Sequence, residues 1–182
     1  MGARVTRQQQ QAVWRVESMV EVVGSTAPST LSFTMIGDPP VQRRMRIAWR
    51  RFLFRGWGSH GNGARGTGNA YLYDPSSADK IRYTAAVKAA LAELGLSGNL
   101  PYFAAGGPLL LQVKFVCPRP AHAIQAFPRR KDLDNMVKFL MDACHVVLYQ
   151  NDTVVVELVA KKVFPPIGSV EAAWTEVHFS TI

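Results

Sequence analysis

The sequence predicts a single α+β domain, a mixed β-sheet with helices, whose elements run strand, helix, strand, helix, strand, strand. Three observations carry this reading. From Leu133 the apolar positions are 133, 136, 137, 140, 141, 144, 147 and 148, a sustained stripe at helical period. Residues 109–116 and 153–163, on either side of that stripe, are dense in branched apolar residues and suit strands. With 182 residues, 48% of them hydrophobic and 19% charged, the chain has apolar surface for one core but not the length of two ordinary domains.

Residues 1–30 read as an N-terminal appendage and linker ahead of a domain spanning 31–182. Val13, Val16, Met19, Val20 and Val23 repeat at near-helical spacing and predict a short amphipathic helix, followed by a Gly-Ser-Thr-Pro linker. Residues 31–36 favour a strand, stopped by Gly37-Asp38-Pro39-Pro40. Next come Arg43, Arg44, Arg46, Arg50 and Arg51, interleaved with Trp49, Phe52 and Phe54. A basic, Gly-rich insertion at about 49–70 contains a glycine-dominated stretch, 56–68, expected to be a loop. Residues 79–94 predict a helix that Gly95 ends. The strand at 109–116 is halted by Pro118 and Pro120, and residues 172–179 offer the last strand.

Composition narrows the function. There are 21 Lys and Arg against 13 Asp and Glu, a net charge of +8, so a polyanion is a serious candidate partner. Cys117 and Cys144 lie far apart among apolar residues, which excludes a disulfide scaffold and a four-cysteine zinc site within one chain. Two reduced core thiols imply a reducing intracellular compartment, cytoplasm and nucleoid or nucleus. No apolar run approaches the roughly 18 residues of a membrane span. Glu17 and Glu21 interrupt any secretory hydrophobic region, and only the first sixteen residues have the Arg-rich, acid-poor character of a mitochondrial presequence.

The segment Lys131-Asp132-Leu133-Asp134-Asn135-Met136-Val137-Lys138 is the most informative in the chain. Asp134 sits where the apolar helix begins and Lys138 lies one turn on, over the same face. If the chain is still extended at Asp132, both carboxylates share one side of it. Two carboxylates at a strand-to-helix junction suit a hard divalent ion such as Mg²⁺, with Mn²⁺ as an alternative, and a lysine can stabilise charge on a phosphate. Either aspartate could equally be a helix N-cap, with Lys138 its solvated partner. A third acid, Asp152, follows Asn151 in the turn after the helix; an Asx turn accounts for that pair as well as a site does.

At these residues the sequence resembles the RusA family of Holliday-junction resolvases. The signature stands here as Asp132-Leu133-Asp134-Asn135-Met136-Val137-Lys138, then Asp142, then Tyr149-Gln150-Asn151-Asp152. Gly37-Asp38-Pro39 with Arg44 and Arg46, Tyr73-Asp74-Pro75, Pro118-Arg119-Pro120, and Lys161 or Lys162 fall in family order, over roughly residues 31–180. The resemblance implies a Mg²⁺-dependent endonuclease acting as a homodimer on four-way DNA junctions. It implies metal-binding catalytic acids at Asp132, Asp134 and Asp152, and a catalytic lysine at Lys138. The family's paired acid is Asn151-Asp152 here, a departure at its first member.

Phosphate contacts are expected from Arg43, Arg44, Arg46, Arg50, Arg51, Arg129, Arg130, Lys131, Lys161 and Lys162. The triplet at 129–131 immediately precedes the acids and is placed to steer phosphate toward them. Two other readings stay open: a DNA-binding module that has lost the chemistry, and a metal-dependent nuclease acting on other branched DNA.

Overall fold

The computed structural model describes residues 15–19, 30–50, 69–93, 95–96, 100–103, 106–122, 124–167, 169 and 173–182. Seven strands and two helices are defined there: β1 (Arg15–Met19), β2 (Thr30–Ile36), β3 (Arg46–Arg50), β4 (Asn69–Tyr73), α1 (Ser77–Glu93), β5 (Leu109–Val116), α2 (Leu133–Cys144), β6 (Val155–Val163) and β7 (Trp174–Thr181).

Five strands form one mixed sheet in the order β1-β2-β7-β5-β6, and β3 pairs with β4 in a separate antiparallel ribbon. All neighbours in the large sheet are antiparallel except β5 and β6, which run parallel and are joined through α2. A parallel pair needs a crossover, and the amphipathic stripe read from Leu133 onward is that crossover.

Alternation along the strands decides which face is covered. Leu31, Phe33 and Met35 of β2, Leu109, Leu111, Val113 and Phe115 of β5, and Val177 and Phe179 of β7 point into one core. Both helices cover that face: Tyr83, Val87 and Leu91 come from α1, and Met136, Val137, Phe139, Leu140, Ala143 and Cys144 from α2. Tyr83 and Phe139 meet edge to face across the helix pair, with ring centroids 5.8 Å apart. Cys117 and Cys144 are both free and buried, and burial pushes the Cys144 thiol well above its usual range. No described helix is long and apolar enough to cross a membrane.

The α+β mixed sheet, with its six elements in the expected order, is what the sequence predicts. The helix expected across Val13–Val23 is corrected where it can be seen. Residues 15–19 are a strand, paired antiparallel with β2 from Arg15↔Ile36 to Met19↔Ser32. The spacing of the valines mimics helical period, but sheet pairing at the edge of β2 overrides so short a local signal. The rest of that segment and the Gly-rich stretch 56–68 lie outside the described residues. β3 and β4 are strands on either side of that stretch.

Candidate functional site

The site is organised by α2 and by what holds its first turn. Asp132 is the N-cap residue, with extended backbone at φ −75° and ψ 132°, yet its side chain makes no capping hydrogen bond. The capping role that competes with metal binding is therefore not the one Asp132 fills. Its carboxylate is exposed, as are Asp134 in the first turn and Lys138 one turn on. Among the described residues, Asp134 and Lys138 form no ion pair. Three charged groups thus face solvent at or near the positive end of a helix dipole, where negative charge is favoured.

Two lysines brace this junction from behind. The Lys162 ammonium, near the end of β6, donates to the backbone carbonyl of Lys131. The Lys131 ammonium pairs with Asp38 at 2.7 Å and donates to the Pro39 carbonyl. Both were expected to contact DNA; here both ammonium groups make contacts within the protein.

Asp152 sits elsewhere. It opens a short 3-10 turn immediately before β6, whereas Lys162 and the start of α2 lie at the far end of that strand. Tyr149, three residues before Asp152, donates its hydroxyl to the Met141 carbonyl in the last turn of α2 at 2.9 Å. The twelve residues of α2 span about 18 Å, so Asp152 and Asp132 lie at opposite ends of the helix. Among the described residues, no three His, Cys, Asp or Glu side chains are grouped to hold a metal ion. A single chain brings Asp132 and Asp134 together and leaves Asp152 apart. Asn151, the departure from the paired acid, accepts the Thr153 N–H at 3.0 Å and caps the 3-10 turn.

The polar face of α2 has a further partner that the sequence did not single out. Lys80 on α1 bridges Asp142 at 2.6 Å and Asp74 at 3.0 Å. Burial pushes the Asp74 carboxyl up, but bonds from the Ser76 N–H, Lys80 and Gln42, with the Lys80 charge, outweigh it and hold the group at about 2. The signal available in sequence was the Tyr73-Asp74-Pro75 run before a helix, which shows a turn but no partner.

The remaining basic residues divide. Arg43 and Arg44 are exposed between β2 and β3, and Arg46 is exposed at the start of β3; Arg50 is in β3, with its side chain outside what is described, as is all of Arg51. Arg129 and Arg130 are exposed immediately before the α2 junction, and Lys161 is exposed on β6. His145 bonds the Gln150 carbonyl at 2.7 Å and is a loop brace.

No curated protein matches the chain in a direct sequence search. The family model described as endodeoxyribonuclease RusA matches residues 57–172, a span that holds both helices, the three acids and Lys138. With the acid-acid-lysine junction at the head of a βαβ crossover and most of the chain inside that match, this protein belongs to the RusA family of endodeoxyribonucleases.

Proposed function

We propose that this chain is a Mg²⁺-dependent endonuclease that resolves four-way DNA junctions by paired nicking, as a homodimer, in DNA recombination and repair. The observation that carries the metal reading is Asp132, a carboxylate in the N-cap position that caps nothing, exposed beside Asp134. Hard carboxylate oxygens suit Mg²⁺, which when bound polarises a phosphoryl oxygen and makes its water a better nucleophile. Asp132 and Asp134 would hold the ion. Lys138 would offset charge on the phosphate, and Arg129 and Arg130 would draw the backbone toward the junction.

The placement of Asp152 supports the homodimer. Among the described residues β6 is one edge of the sheet, and Val156, Leu158 and Val159 on it are 62%, 46% and 50% exposed. Unpaired, apolar edges invite pairing with another strand. Two β6 edges set antiparallel about a two-fold axis put the start of one strand beside the end of the other. That arrangement carries the Asp152 of a second copy toward Asp132 and Asp134 of the first and completes the acid trio in pairs.

Cleavage of a synthetic four-way junction with and without Mg²⁺, beside Asp132→Asn, tests the reading. Loss of cleavage in the variant with retained junction binding is expected; unchanged Mg²⁺-dependent cleavage would sink it. Tight, salt-sensitive binding with no cleavage by the unaltered protein would mark a binding module. Preference for flaps over junctions in competition would mark a different branched-DNA nuclease.

A further inference from the structure

A cleft of about 760 Å³ opens between the end of β5 and the start of α2, lined by residues 117–122, Gln125 and residues 128–131, with Asp38 after β2 and Phe164 after β6. Arg119, Arg129 and Arg130 all line it. Among the described residues none of the three has a carboxylate partner, while Lys131 is already neutralised by Asp38. Two of the guanidiniums are seated on aromatic rings. Arg119 lies 4.5 Å from the centroid of Phe164, and Arg129 5.4 Å from that of Phe127. An aromatic seat holds a guanidinium plane while its edge N–H groups stay available, so less freedom is lost when it grips an oxyanion. Three unneutralised guanidiniums exceed what one isolated anion needs and match a chain of phosphates.

We propose that this cleft is a phosphodiester-binding channel that receives the DNA strand adjoining the cut phosphate, gripped by Arg119 and Arg129. Lys131, which lines the cleft, immediately precedes Asp132, so a strand held there would lead toward the acid pair. The word "adjoining" rests on the nuclease reading above; the phosphate contact itself does not. Arg119 stands thirteen residues ahead of the first acid, yet it lines the same cleft as Arg129 and Arg130.

The experiment measures binding of a fluorescent four-way junction in EDTA across a salt series. Arg119→Gln is expected to weaken binding about tenfold and to flatten the log K against log salt plot by about 0.9, one phosphate's share. Adding Arg129→Gln should flatten it by about twice that. Phe164→Leu should weaken binding with the slope kept, because it removes the seat and leaves the charge. If Arg119→Gln unfolds, Arg119→Lys replaces it, with the slope kept and affinity lowered. Arg82→Gln, on the outer side of α1, is the control. A wild-type slope in the double variant overturns the channel, and so does an equal loss at Arg82. Should the unaltered protein bind but never cut, the nuclease reading fails while the slope still decides the cleft. Should it cut normally with the slope unmoved at Arg119, the cleft alone fails.

Discussion

The ammonium of Lys162 is bonded to the main-chain carbonyl of Lys131, so the end of β6 is fastened to the residue immediately before the α2 cap. Asp132 takes its extended backbone right after that fastening. Lys162 is therefore a positioning residue. Lys162→Met, which keeps the aliphatic stem, should lower stability by about 1–3 kcal/mol in urea denaturation. It should also reduce Mg²⁺-dependent cleavage more than junction affinity, whereas a DNA-contacting lysine would lose affinity first.

The composite site proposed above predicts complementation between two dead variants. Asp132→Asn and Asp152→Asn should each abolish cleavage alone. When they are unfolded and refolded together, half the dimers combine one of each, and every such dimer holds one intact acid set. Single-strand nicking should return to about a quarter of the unaltered rate. No recovery, with mixed dimers verified by tagged pull-down, would place each acid trio within one chain.

Asp74 gives the protein an acid limb. Its carboxyl is held at about 2, below its ordinary value of 3.8, so the native state favours the ionised form. That stabilisation is complete above about pH 4 and is lost as pH falls through about 2. Because the group is partly solvated, the contribution is about 1–2 kcal/mol rather than the full value such a shift would carry. Asp74→Asn should lower stability at pH 7 and flatten the dependence of the urea midpoint between about pH 4 and pH 2. An unchanged acid limb would assign the dependence to other carboxylates.

Val146 has φ 71°, a left-handed conformation that a β-branched residue adopts at a cost of about 1–2 kcal/mol. It follows α2 in a tight loop, with its N–H bonded to the Tyr149 carbonyl at 2.8 Å and its side chain 61% exposed. Glycine loses more chain entropy on folding, about 0.5–1 kcal/mol, but carries no Cβ to clash. Val146→Gly should therefore raise stability by a few tenths to about 1 kcal/mol in urea denaturation, and a loss would show that the side chain has a role this loop conceals.

Leu140, 1% exposed on the inner side of α2, packs into the core beneath the acid site. Leu140→Ala should cost about 2–5 kcal/mol. Cleavage measured below the variant's melting point should survive, because the charged residues lie on the opposite face of the helix.

Periodicity revealed α2 because its apolar stripe and its burial are the same fact seen twice, and the β-branched runs of β5 and β6 followed from it. The Asp132-Asp134-Lys138 junction was legible for a related reason, since residues so close in sequence cannot be carried far apart. Asp152 was not, because it lies eighteen positions beyond Asp134 and a helix of fixed rise decides where it ends up. The salt bridges of Lys80, the Lys131–Asp38 pair and the seat of Arg119 on Phe164 join distant segments, and no local pattern encodes them. β3 and β4 escaped because a hairpin is recognised by a short turn, while eighteen residues separate these two strands.

The latest strand in the sequence, β7, is seated between β2 and β5 in the middle of the sheet. During synthesis, β2 and β5 must therefore wait with open edges until residues 174–181 leave the ribosome. Pairings such as Leu31↔Phe179 join residues almost a whole chain apart, the arrangement that slows folding most. A nascent chain stalled just short of β7 would hold an unfinished sheet rather than a smaller nuclease, which makes those eight residues the folding checkpoint of the molecule.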